Sequence, residues 1–208
     1  MSNNIERRTM TVELRAAEDD RSVQGYAAVY NSESNTLGWF TEIIERGAFT
    51  EALQRSPDIV ALYNHDENYV LGRRDAGTLS VWEDERGLQY KIDNLPNSRE
   101  DVLEAIKRGD VNKSSFAFTI APGGDRWEER DGKTIRTITK FERIYDVSPV
   151  VYPAYSDSSV AKRSFDQWVE QQKEQSEEQE IEQRKDEQEL KAFNEWLERT
   201  LKLRKEFL

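Results

Sequence analysis

Residues 115–120 read S-F-A-F-T-I. Phe116 and Phe118 alternate with Ser115, Ala117 and Thr119, the period of two that a strand imposes on its faces. The aromatic pair is expected to face a core, and the three small side chains to share the other face with room for a ligand. Just upstream, Ser98 precedes R-E-D-V-L-E-A-I-K-R-G. Ser98 is placed to cap a helix with Asp101 at its third position, Val102 and Ile106 form its buried stripe, and Gly109 closes it. Downstream, a Gly/Asp turn at 123–125 leads into R-W-E-E, T-I-R-T-I-T and then I-Y-D-V-S-P-V-V-Y-P at 144–153. The prolines of that last run suit an edge or bulged strand more than a central one.

Further out, T-M-T-V-E-L-R at 9–15 and V-Q-G-Y-A-A-V-Y at 23–30 flank a polar turn and read as an opening hairpin, with Gly25 marking a bulge. W-F-T-E-I-I at 39–44 is a short strand, and R-G-A-F-T-E-A-L-Q-R-S a short helix stopped by Pro57. I-V-A-L-Y at 59–63 is an almost wholly apolar strand that ends at Asn64 and His65. Thr78–Trp82 and Leu88–Ile92 enclose E-D-E-R-G, a hairpin signal. The order of elements predicts a closed, mostly β fold with helices packed outside.

The pattern changes near Ser156. Between 170 and 189 only Ile181 is apolar, so this stretch is a solvated helix or has no fixed structure. Leu190, Phe193, Leu197, Leu201 and Leu208 then fall largely on one helical face, with Trp196 beside it. Such a face calls for a partner.

Forty-one acidic against thirty basic residues leave a net charge of -11, which argues against a general grip on nucleic acid. The absence of cysteine excludes disulfides, thiolate catalysis and thiolate metal sites. No apolar run is long enough for a membrane span and no apolar signal core opens the chain, so a protein soluble in the cytoplasm, or enclosed in something assembled there, is expected. No phosphate-binding glycine motif is present, and no cofactor or metal is expected.

Three side chains carry the candidate chemistry. His65 is the sole histidine and the one side chain suited to proton exchange near neutral pH. Ser115 needs such a base within hydrogen-bonding reach to act as a nucleophile; Ser114 competes with it but alternation sends it to the opposite face. Asp146, among apolar neighbours, is suited to hold the far nitrogen of the imidazole, with Glu142 the main competitor and Asp66 a weaker one.

These blocks together resemble the prohead maturation protease family of tailed phages, from about Thr11 to Ala161. V-Q-G-Y-A-A-V-Y-N is similar to its G-Y-A-x-V-F-N stretch, and I-I-E-R-G-A-F-T-E-A-L to its P-G-A-F segment, with Arg46 in place of proline. L-Y-N-H-D at 62–66 resembles its histidine motif, K-S-S-F-A-F its S-x-G-F motif with Ala117 for glycine, and D-V-S-P-V-V-Y-P-A-Y its E-V-S block with Asp146 for glutamate. The resemblance implies catalytic roles for His65, Ser115 and Asp146, and a closed β-barrel wrapped by helices as in herpesvirus assemblin. It implies a protease domain at 1–162 and an assembly or self-cleavage tail at 163–208. It further implies an endopeptidase inside the assembling prohead of the host cytoplasm. The expected partners are the major capsid protein or its scaffolding region, a second copy, and the portal; nucleic acid and membrane are not expected. The rival reading is a non-catalytic assembly protein of the same fold.

Overall fold

The computed structural model describes residues 5–10, 14–17, 21–34, 37, 39–55, 58–152 and 159–206. In chain order the strands are β1 (Glu6–Met10), β2 (Leu14–Ala16), β3 (Val23–Val29), β4 (Phe40–Ile44), β5 (Val60–Tyr63) and β6 (Asp66–Arg73). There follow β7 (Leu79–Glu83), β8 (Gly87–Ile92), β9 (Lys113–Ile120), β10 (Asp125–Arg130), β11 (Lys133–Ile138) and β12 (Phe141–Val150). The helices are α1 (Thr50–Arg55), α2 (Glu100–Arg108) and α3 (Ser159–Glu206).

Among the described residues the strands form three separate sheets, ordered β1-β9-β12-β5-β6, β10-β11-β4 and β2-β3-β8-β7. The closed barrel expected from the sequence is therefore wrong, although mostly β with peripheral helices is right. Closure requires each edge strand to find another edge. Here the ladders stop at β1 and β6, at β10 and β4, and at β2 and β7. Between β1 and the three-stranded sheet, side chains replace the missing ladder. Arg8 on β1 grips Glu42 of β4 with two hydrogen bonds of 2.7 and 2.8 Å, and Arg136 of β11 reaches back to Glu6 at 2.9 and 3.1 Å.

Several local expectations change in the same way. The strand expected at 9–15 is divided: β1 pairs with β9, whereas β2 pairs with β3, and residues 11–13 lie outside the described residues. In β3 the irregularity falls between Tyr26 and Ala28, just past Gly25. α2 begins after a 3-10 turn at Asn97–Arg99 and is capped by Arg99 without a side-chain hydrogen bond, so Ser98 does not cap it; Gly109 closes it at φ 82° as expected. β12 is central and not an edge, flanked by β9 and β5, but it is bulged as the sequence allowed, with two register shifts against β9. β6 is not legible in the sequence, because its exposed edge opens with polar D-E-N and lacks alternation. Pro57 and Pro153 lie outside the described residues.

The core is aromatic at its centre. Phe49, next to α1, stacks on Phe141 with centroids 4.5 Å apart, and Phe116 and Phe118 pack edge-on against Phe141. All four are fully buried, which fixes β9 by its aromatic face and leaves Ser115 on the other.

The chain separates into two units, Met1–Ala161 and Lys162–Leu208. Along α3 the side chains of Ile181, Leu190 and Phe193 are more than half exposed. Leu208 of the expected stripe lies outside the described residues, and α3 continues as helix through Leu197 and Leu201. Among the described residues no helix is long and apolar enough to cross a membrane.

Candidate active site

Four side chains meet where β9 begins and where β5 and β12 end. Ser115 stands third in β9, and its neighbour Ser114 takes the core face, sharing a 2.7 Å hydrogen bond with Tyr90. Burial pushes the Tyr90 phenol above its usual range, so that hydroxyl is a fixed neutral partner. Alternation thus separates the two serines, as expected.

His65 occupies the tip of the β5–β6 hairpin, where Tyr63 pairs with Asp66 across a two-residue loop. Both loop residues are left-handed, Asn64 at φ 54° and His65 at φ 59°. A type I′ hairpin demands positive φ at both central positions, which asparagine and histidine accept more often than most other side chains but still at a cost. The surroundings hold the strained tip in place: the Asn64 N–H donates to the Pro149 carbonyl at 3.0 Å, and its Oδ1 accepts from the Val151 N–H at 3.0 Å. The end of β12 thereby fixes where the imidazole stands.

Asp146 reaches the same face through a bulge. Ile144 pairs with Phe118, but the next partners are Asp146 with Ala117 and Ser148 with Ser115. An unbroken ladder would place Asp146 on the same face as Ile144, inside the aromatic core. One extra residue at Tyr145 reverses the parity and turns Asp146 and Ser148 toward Ser115.

The imidazole then bridges the two groups. His65 Nδ1 is 2.6 Å from Asp146 Oδ1, and His65 Nε2 is 2.7 Å from Ser115 Oγ. Ser148 Oγ donates to the same Asp146 oxygen at 2.7 Å. Ser115 Oγ also lies 2.9 Å from the Arg8 carbonyl, a second acceptor for its one hydrogen. A carboxylate on Nδ1 selects the tautomer whose Nε2 is free to accept, the state a general base requires. Ser115 is completely buried, Asp146 nearly so, and the His65 side chain keeps 10% exposure.

Behind β1 lies the ionic cluster of Glu6, Arg8, Glu42 and Arg136, each with at most 5% exposure. Burial alone would raise the Glu6 carboxyl, but the charges of Arg8 and Arg136 overcome it and hold it below the usual range. The Arg8 and Arg136 guanidiniums are correspondingly raised, the carboxylates outweighing their loss of hydration. This cluster anchors the strand whose Arg8 carbonyl touches Ser115.

The competitors for the third position lie elsewhere. Glu142 is about half exposed and is 4.0 Å from Arg55, and Asp66 accepts hydrogen bonds from Asn68. The 121–125 turn follows the opposite end of β9 from Ser115, and its Gly124 N–H donates to the Ala121 carbonyl. The small-residue face of β9 is not an open groove, since Ser115 and Ala117 are both buried. Ser148 joins the site although the sequence marks it only by its place in D-V-S, two residues from the candidate carboxylate on a strand. Among the described residues no group of three or more acidic, histidine or cysteine side chains is arranged to hold a metal ion.

The family model described as Caudovirus prohead serine protease matches residues 9–172, a span that includes all four side chains. No curated protein and no solved structure matches the chain.

Proposed function

This chain belongs to the Caudovirus prohead serine protease family, and we propose that within it Ser115 is the nucleophile, His65 its general base and Asp146 the carboxylate that orients the imidazole. Membership makes the protein a serine protease of capsid maturation. The finer reading is an endopeptidase that cuts the scaffolding region of the major capsid protein inside the assembling prohead, and cuts itself. Its residues 1–162 carry the chemistry, and 163–208 serve assembly or are themselves trimmed.

One observation carries the assignment of roles: a single imidazole spans a carboxylate and a serine hydroxyl at 2.6 and 2.7 Å through opposite ring nitrogens. As Ser115 Oγ attacks a peptide carbonyl, its proton passes to His65 Nε2, and the Asp146 charge stabilises the imidazolium. The same proton then goes to the departing amine, leaving an acyl-serine. Water, deprotonated by His65, hydrolyses the ester and restores the hydroxyl. While the Ser115 hydrogen is turned to the Arg8 carbonyl, attack has no base; turned to Nε2, it does.

The test is co-expression of the full chain with its capsid protein, followed by mass spectrometry of the products. The wild type is expected to yield defined cuts in the scaffolding region and in the tail. Ser115→Ala is expected to fold and to yield none. Undiminished cleavage by that variant overturns the assignment.

A further inference from the structure

We propose that Ser148 is a positioning residue of this site, holding the Asp146 carboxylate in the orientation from which it grips His65. The inference rests on the roles given above to Ser115, His65 and Asp146. Ser148 is fully buried and lies directly across the ladder from Ser115. Its Oγ is 2.7 Å from Asp146 Oδ1 and 3.4 Å from His65 Nδ1. A buried hydroxyl needs a partner, and any nearby carbonyl would serve. Ser148 instead gives its only hydrogen to the carboxylate oxygen that receives the histidine N–H.

Two consequences follow from that choice. Asp146 Oδ1 is held by donors on two sides, Ser148 Oγ and His65 Nδ1, so the carboxylate does not rotate away from the ring. The hydroxyl also draws off part of the carboxylate charge, which moderates how strongly Asp146 stabilises the imidazolium. The groups facing the ring are Asp146 and Ser148 from β12 and Ser115 from β9, while Asp66 of β6 turns to Asn68. Without the hydroxyl, the carboxylate is held on the ring side alone.

The experiment follows labelling of the full-length protein by a fluorophosphonate, in which Ser115 Oγ bonds to phosphorus, fluoride leaves and the serine proton passes to His65. Wild type, Ser148→Ala, Ser148→Thr and Ser115→Ala are compared. Ser148→Ala is expected to lower the limiting labelling rate about ten- to a hundred-fold, with little change in half-saturating concentration. Ser148→Thr, which keeps the hydroxyl, is expected to recover most of the rate. Should Ser148→Ala not fold by circular dichroism, Ser148→Cys, close in volume but a poor donor, carries the same expectation. A wild-type rate for Ser148→Ala, or a slow rate that threonine does not recover, overturns the proposal. Labelling that survives Ser115→Ala overturns instead the reading beneath it.

Discussion

The Asp146 carboxylate meets the His65 ring at 2.6 Å, and its charge, more than its shape, is what the proposed mechanism uses. Asp146→Asn preserves the volume but offers the ring an amide, which favours the tautomer with its proton on Nε2. A fall of about 10³- to 10⁴-fold in kcat is expected with KM little altered, measured on a peptide copied from the mapped cut site. Asn64 shapes the same site through the backbone. Asn64→Ala loses both the tolerance for φ 54° and the bond from Val151, and is expected to cost about 1–2 kcal/mol in urea unfolding. Asn64→Gly keeps the turn and loses only the bond, so it should cost less. Equal losses would show that the turn conformation contributes nothing.

At the scale of elements, β1 is held to the three-stranded sheet by charge pairs where a barrel would have used a ladder. Such a cluster is weak evidence for net stability, yet breaking it by removing one partner is severe. Glu42→Gln takes from Arg8 the carboxylate it grips with two bonds and leaves Glu6 to serve both guanidiniums, with Asp125 beside Arg136, and about 3–5 kcal/mol of destabilisation is expected in denaturant titration. The cluster also predicts acid sensitivity. Glu6 has its carboxyl depressed on folding, so its contribution is complete above the unfolded value near 4.5 and is lost as pH falls through the lower folded value. Thermal melts from pH 6 to 3 should therefore fall steeply below about pH 4.5, and Glu6→Gln should flatten that slope while lowering stability at pH 6.

Across the whole molecule, the first unit ends at Ala161, which is itself buried, while the second is one helix with exposed Ile181, Leu190 and Phe193. A chain ending at Ala161 is expected to keep cooperative unfolding and fluorophosphonate labelling, because the four site residues and the aromatic core lie in the first unit. What it should lose is incorporation into proheads, measured by protease content after co-expression with the capsid protein. Normal incorporation would assign encapsulation to the first unit.

The chain by itself determined the β character, most strand positions and the candidate residue types, because periodicity, turn chemistry and a sole histidine are local properties of sequence. It also determined that Phe116 and Phe118 face away from Ser115. Tertiary structure alone decided that β12 is central, that a bulge at Tyr145 turns Asp146 out of the core, and that β1 meets its neighbours through buried ion pairs instead of closing a barrel. The physical reason is that parity and pairing depend on the partner strand. One added residue reverses every side chain beyond it, and nothing in D-V-S-P states which strand will lie alongside.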